Sequence, residues 1–173
     1  MRSMLSKMTI AVVVGVGLGV AAAPLCASAA SGVKWVKYDS PEYGFSMLVP
    51  AGAKVQEQRL APKRGMLIWE HGPVSVMAMP RLNYKATPEE LEKHAVSVTG
   101  MAEKDWKAIG KGRHERGWVW WKAAMASPGG IRQIIEYGVG AKGTYLMVLT
   151  INDKYFHRHR AAYRRWYRSI RLH

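Results

Sequence analysis

A hydrophobic run near the C-terminus is the strongest structural pattern in the chain. Residues Thr144 to Ile151 are apolar on both faces of an extended strand. A strand of this kind belongs in the middle of a sheet that is covered on both sides. A helix is predicted directly after it, from about Asp153 to Arg168, and Asn152 or Asp153 can cap its start. The pattern therefore predicts a central strand that leads into a terminal helix.

The terminal helix has an aromatic face and a basic face. The aromatic face repeats at three- to four-residue steps and comprises Tyr155, His159, Ala162 and Trp166, with Phe156, Tyr163 and Tyr167 beside them. The opposite face carries Lys154, His157, Arg158, Arg160, Arg164, Arg165 and Arg168. Since an apolar stripe of this period faces the core, Trp166 is expected to be buried against the sheet.

An earlier helix is predicted from Thr87 by its capping residues. Thr87 is the N-cap, Pro88 occupies the first helical position, and Glu90 completes a capping box. Its apolar stripe comprises Leu91, His94, Ala95, Val98 and, at the end, Ala102. Gly100 or the 101–102 region is expected to end this helix.

Short apolar segments separated by turn residues predict the remaining strands. Two strands are predicted at 33–38 and 43–50, a hairpin at 66–70 and 74–79, and a return to strand from about 106. The segments 118–125, 131–139 and 144–151 are joined by short Gly-rich turns and predict an antiparallel meander. Residues 53–60 alternate only weakly, which leaves a strand and an irregular connection as alternatives.

Two segments resemble a known superfamily. The first is Tyr38-Asp39-Ser40-Pro41-Glu42-Tyr43-Gly44-Phe45-Ser46-Met47-Leu48-Val49-Pro50, and the second is the closing strand, helix and Arg168-Ser169-Ile170-Arg171-Leu172 tail. Both resemble PsbP-like and DcrB-like domains, as does the order of elements between them. The resemblance implies an α+β fold in which an antiparallel β-sheet carries α-helices on its faces, a PsbP-like α/β/α sandwich. It also implies a non-catalytic accessory or binding protein without a shared active site. The basic terminal helix is not part of the family pattern.

The first thirty residues have the features of a signal peptide. Arg2 and Lys7 form a basic segment, an apolar run follows from Ile10 to Ala23, and small residues end it at 27–30. We therefore expect a signal peptide at 1–30, a single α+β domain at 31–173, and a periplasmic or secreted location. A retained N-terminal anchor is the alternative, although the apolar run is short for a span of about 20 residues. A lipid on Cys26 is disfavoured by the bulky Leu25 before it.

Export is expected to remove about 30 residues from the N-terminus. Mass spectrometry of the protein purified from its native envelope fraction checks this prediction. An intact Met1 or a lipidated Cys26 would contradict it.

The charge of the chain points to an anionic partner. The net charge is +14, and the expected loss of Arg2 and Lys7 leaves +12. The last 21 residues hold seven Lys/Arg and one acid, a net charge of +6. Clustered basic charge attracts anions, which in an exported protein are lipid head groups, envelope polymers or acidic proteins rather than nucleic acid. The predicted partner-binding residues are Arg158, Arg160, Arg164, Arg165 and Arg168. A solvated, solubilising face is the alternative.

Metal and catalytic chemistry find little support in the sequence. His157 and His159 point roughly 200° apart on a helix and cannot share an ion. Met77 and Met79 share a strand face but lack a third soft ligand, so core filling is favoured over copper binding. Neither a Ser/His/Asp set nor a paired-carboxylate set is recognisable. No cofactor, metal site or catalytic residue is predicted, and the protein is not expected to be an enzyme.

Three tryptophans lie close together in the segment 118–125. Strict alternation places Trp118 and Trp120 on one strand face and Trp121 on the other. They are expected to serve the core rather than to stack on a sugar or base.

The leading functional expectation is an exported, non-enzymatic accessory or binding domain of the bacterial cell envelope. It is expected to engage a protein or an anionic envelope component through the basic helix. One alternative is an envelope hydrolase or metal-handling protein. Another is a peripheral protein that binds anionic membrane through the same helix.

Overall fold

The computed structural model describes residues 33–127 and 129–173, which contain, besides one 3₁₀ turn at Glu103–Asp105, ten strands and two α-helices. In chain order they are β1 (Trp35–Ser40), β2 (Phe45–Pro50), β3 (Val55–Ala61), β4 (Arg64–His71), β5 (Val74–Leu82), α1 (Pro88–Thr99), β6 (Lys107–Glu115), β7 (Trp118–Ala126), β8 (Ile131–Gly140), β9 (Gly143–Asn152), α2 (Asp153–Ser169) and β10 (Arg171–Leu172). The predicted signal peptide at 1–30 lies outside the described residues.

β9 is the central strand of a seven-stranded antiparallel sheet. The strand order is β3-β4-β5-β9-β8-β7-β6, so three strands lie on each side of β9. Its residues are buried on both faces from Gly143 to Leu149, as the apolar run predicted. The β4–β5 hairpin and the β7–β8–β9 meander are also confirmed.

The weakly patterned segment at 53–60 forms β3, an edge strand. All seven residues of β3 are exposed, and β3 pairs only with β4. Because neither of its faces is buried, alternation gave no clear signal for this strand.

β1, β2 and β10 form a second, three-stranded sheet that hydrophobic periodicity did not predict. β2 lies in the middle and pairs antiparallel with β1 and with the two-residue β10. The small sheet pairs Phe45 and Ser46 with Leu172 and Arg171. Local periodicity cannot predict a pairing between segments so far apart in the sequence.

The larger sheet has a different cover on each face. One face packs against the small sheet and α2, in a core that includes Trp69, Tyr145, Tyr163 and Trp166. The other face packs against α1 through a smaller core, which comprises Ala86, Leu91, Ala95, Ile135, Tyr137, Leu146 and Val148. The alternating residues of β9 contribute to both cores, which explains why this strand is apolar on both sides.

α1 begins and ends where its capping residues predicted. The Glu90 N–H donates to Thr87 Oγ1 at 3.2 Å, and the Thr87 N–H donates to Glu90 Oε2 at 2.8 Å. Gly100 ends the helix in a left-handed conformation, with φ of 69°. Leu91 and Ala95 are buried as expected. Ala102 does not belong to the stripe, because it lies beyond the Gly100 cap and is exposed.

α2 forms as predicted, but its buried face is rotated from the predicted stripe. Tyr155 is 45% exposed, whereas Phe156, Tyr163, Trp166 and Tyr167 are buried. His159 has non-helical angles, φ −125° and ψ 22°, which kink the helix. The kink rotates the first half of α2 relative to the second. A stripe drawn at regular helical spacing along the whole helix therefore placed Tyr155 on the buried face, which is wrong. The predicted burial of Trp166 is confirmed, at 0% exposure.

The predicted faces of the three tryptophans on β7 are wrong. The strand register shifts between Trp118 and Trp120, where one extra residue bulges from β7 opposite β8. Trp118 and Trp121 therefore point into the core under α2, and Trp120 packs on the α1 side. A bulge breaks strict alternation because two residues of one strand then oppose a single residue of its partner.

Candidate functional site

The basic face of α2 is exposed to solvent. The five predicted partner-binding residues, Arg158, Arg160, Arg164, Arg165 and Arg168, are all exposed, as is Lys154. Lys154 and Arg158 are four residues apart before the kink at His159, and Arg164, Arg165 and Arg168 recur at three- and four-residue spacing after it, so each set shares one side of its own half of the helix. We call this surface, Lys154 together with the five arginines, the basic face.

The basic face has few acidic neighbours. None of the ion pairs among residues 33–127 and 129–173 includes any of its six side chains. The only acid of α2 is Asp153, and its carboxylate accepts from the Arg132 guanidinium at 2.8 Å. His157 lies 3.6 Å from the other oxygen of Asp153. This single acid is thus already engaged at the first turn of the helix, where a negative charge is favoured.

A groove of about 700 Å³ borders the first half of α2. Arg160 and His157 line it from the helix, Lys107 from β6 and Arg132 from β8. Phe156 forms part of its wall, and the Arg132 guanidinium lies 4.3 Å from the centre of that ring. Of the five predicted residues, only Arg160 lines this groove. The other four lie outside its lining.

A largely buried Arg–Glu pair connects the C-terminal end of α2 to the sheet. Arg116 lies in the β6–β7 turn and donates to the Tyr167 carbonyl at 2.7 Å and to Glu136 Oε1 at 2.8 Å. Glu136, on β8, is fully buried, and burial raises its pKa to about 8 despite the neighbouring guanidinium. The bond to the helix carbonyl places a cation where the helix dipole is negative. This pair holds α2 in a defined orientation on the sheet, so the basic face has a fixed direction.

Sequence reasoning did not identify the roles of Arg116 and Glu136. A single signal was present, which is an acidic residue in the otherwise apolar and uncharged segment 134–139. A carboxylate at a buried strand position requires a partner. The partner is 20 residues away in a turn, and no spacing rule connects the two.

The described part of the chain contains no group of three or more His, Cys, Asp or Glu that could hold a metal ion. His94, on α1, is half-buried, and burial lowers its pKa. Met77 and Met79 share one strand face, as predicted, and pack against the smaller core under α1.

Comparison with known proteins identifies the fold. No protein-family model matches this chain, and no curated protein sequence matches it. Among solved structures, the chain is similar to cyanobacterial PsbP (CyanoP) from Synechocystis sp. PCC 6803, with a TM-score of 0.57 and 9% sequence identity. The similarity covers 87% of this chain and all of the cyanobacterial one.

The chain therefore has a PsbP-like α+β fold, as the resemblance of its two terminal segments predicted. At this level of identity the likeness shows the fold alone. The DcrB-like part of the resemblance stays a prediction. Among the described residues, neither helix combines the length and the hydropathy that a membrane span requires.

Proposed function

We propose that this protein is an exported, non-catalytic accessory domain of the cell envelope, which binds an anionic component through the basic face of α2. The observation that carries the proposal is the exposure of six cationic side chains on one helix without an acidic partner among the described residues. The expected signal peptide supports the location, and the lack of a recognisable catalytic set in the sequence supports a binding role.

The spacing of the arginines lowers the stability of α2 unless a counter-charge lies against the basic face. Arg164 and Arg168 are four residues apart, and Arg165 and Arg168 are three apart, so their like charges repel on the helix surface. An anion that lies across several of them removes this repulsion. Guanidinium groups suit phosphate and carboxylate because each offers paired donors in a fixed plane.

The burial pattern of α2 favours contact with a charged surface over insertion into lipid. The aromatic residues Phe156, Tyr163, Trp166 and Tyr167 all point into the protein core. Tyr155 is the large apolar side chain of this helix that remains exposed. A helix that inserts into a bilayer must present an apolar face to it, and the apolar face of α2 is already used by the fold.

Replacing Arg164 and Arg165 by Glu is expected to weaken binding to an anionic partner at least tenfold while the fold is retained. Both side chains are exposed and lack a described ion pair, so the reversal removes attraction without opening the core. Binding of the wild type is also expected to fall steeply with added salt, because exposed charges are screened. Sedimentation with phosphatidylglycerol vesicles measures binding to anionic lipid. Pull-down from an envelope extract measures binding to envelope proteins.

A matched control reverses the same number of charges elsewhere. Lys54 follows β2, and Lys93 lies on α1, on the opposite side of the larger sheet from α2. Lys54→Glu with Lys93→Glu is expected to retain most of the binding. If both double variants lose binding equally, net charge rather than the basic face is responsible. If the wild type binds neither vesicles nor envelope proteins more than the Arg164/Arg165 variant does, the basic face is only a solvated surface.

A further inference from the structure

A small cavity lies between α1 and the larger sheet, on the opposite side from the basic face. Its volume is about 160 Å³, which is close to that of an engineered protein cavity that accommodates benzene, about 150 Å³. Its apolar wall includes Pro80, Leu91 and Leu146, all of which are buried. Its polar wall includes Arg64, Arg81 and His94. The cavity therefore combines an apolar interior with a cationic side.

The two arginines of this cavity face each other across neighbouring strands. Arg64 on β4 is paired directly with Arg81 on β5 in the antiparallel register. Like charges at directly opposed positions destabilise a sheet. Neither arginine forms an ion pair among the described residues. An anion bound between them offsets this repulsion.

The polar wall is held in place before any ligand arrives. The Arg81 guanidinium stacks 3.6 Å from the centre of the Tyr84 ring. The Thr144 hydroxyl donates to the Tyr84 carbonyl at 2.7 Å and accepts from the Ala86 N–H at 3.0 Å. These bonds connect the segment before α1 to the central strand. Arg81 thus lies against a fixed aromatic surface, which lowers the entropic cost of binding a ligand.

The acid at the cavity has other partners. Glu90 accepts the Thr87 N–H as part of the α1 capping box, and its proximity to the Tyr84 hydroxyl raises the pKa of that tyrosine. Burial, Arg64 and Arg81 together lower the pKa of His94, so the imidazole is largely neutral near pH 7. With one carboxylate set against two guanidinium groups, the cavity keeps an excess of positive charge.

We propose that this cavity is a binding site for a small organic carboxylate, with an apolar body between Pro80, Leu91 and Leu146 and a carboxylate between Arg64 and Arg81. The apolar wall favours a ligand with a compact hydrocarbon body over a bare inorganic anion. The paired guanidinium donors match the two oxygens of a carboxylate. Binding at this site is independent of the basic face, because the larger sheet separates them.

Benzoate is a suitable probe, and benzyl alcohol is its neutral counterpart of similar size. Two-dimensional NMR of the full domain is expected to show benzoate shifting the amides of Leu91, His94 and Leu146. Its affinity is expected to be at least tenfold higher than that of benzyl alcohol. Bound benzoate offsets the charges of Arg64 and Arg81, so it is also expected to raise the pKa of His94, read from its imidazole resonances.

Arg64→Gln with Arg81→Gln is expected to lower benzoate affinity to that of benzyl alcohol. If the double variant does not fold, Arg81→Gln alone can be used, because this side chain is exposed. It is expected to lower benzoate affinity by a smaller factor. Lys54→Glu, at an exposed site away from the cavity and the basic face, changes the net charge by the same amount as the double variant and is the control, which is expected to leave benzoate binding unchanged. Three outcomes would overturn the proposal: equal affinity for the two probes, full benzoate affinity in the arginine variants, or no shift of the cavity amides up to 20 mM benzoate.

Discussion

Trp166→Ala is expected to lower the free energy of unfolding by about 3–5 kcal/mol, the range for truncation of a large aromatic side chain in a core. Trp166 is 0% exposed and lies in the core between α2, the small sheet and the larger sheet. Its indole N–H has no acceptor among the described residues, so the loss comes from packing rather than from a hydrogen bond. Urea denaturation followed by circular dichroism measures the change.

Tyr155→Ala is the matched control on the same helix. Tyr155 is 45% exposed although simple periodicity placed it on the same stripe as Trp166. Its truncation is expected to change stability by less than about 0.5 kcal/mol, as at other surface sites. Comparable losses in the two variants would contradict the position of α2 on the sheet.

Arg116→Met is expected to destabilise the protein by about 3–5 kcal/mol at pH 9, the typical cost of removing one partner from a buried ion pair. The variant removes the donor to the Tyr167 carbonyl and the guanidinium that lowers the pKa of Glu136, so Glu136 must take up a proton at pH 9 or stay charged in the core without a partner. At pH 5 the cost is expected to be smaller, about 1–2 kcal/mol, because Glu136 is then protonated and only hydrogen bonds are lost.

The backbone at Arg116 adopts a conformation that is uncommon for arginine. Arg116 and Gly117 are the two residues of the β6–β7 turn, and both have positive φ, 55° and 83°. Turns of this kind strongly prefer Asn-Gly or Gly-Gly, and a positive φ is uncommon for arginine. A Cβ at Gly117 would collide with the Leu172 carbonyl, so the turn is also pressed against β10.

Burial of Glu136 makes the folded state less stable as pH rises. Its pKa is about 8 in the folded protein, against an ordinary value of 4.5. Between these two values the folded state holds a proton that the unfolded state has released, so the free energy of unfolding falls as pH rises. The full shift corresponds to about 4–5 kcal/mol. The stability contributed by the protonated form is thus present below pH 4.5 and lost as pH rises through 8.

Glu136→Gln isolates this effect from the other titrating groups. The amide oxygen can still accept from Arg116 but cannot release a proton in this range. The difference in stability between this variant and the wild type is therefore expected to favour the variant increasingly from pH 5 to pH 9. A constant difference across that range, measured by urea denaturation, would mean that Glu136 stays ionised throughout.

The periodic and capped segments could be predicted well because their signals are local. The Thr87 capping box marks the start of α1, and the doubly apolar run at 144–151 marks the central strand. The exposure of the five arginines on α2 also followed from periodicity, although their binding role stays a prediction. The kink at His159 was missed, since no proline or glycine marks it in the sequence.

Hydrophobic period, caps and composition are properties of neighbouring residues, so they were sufficient to predict the order of the elements, the central strand and the charge of the terminal helix. The face that each tryptophan of β7 occupies could not be predicted in this way, since a bulge depends on pairing with another strand. The same holds for the Arg116–Glu136 pair and for the opposed Arg64 and Arg81. Strand pairing and turn packing bring these side chains together from distant positions in the sequence. The burial of Glu136 and the repulsion between Arg64 and Arg81 therefore arise only in the folded protein.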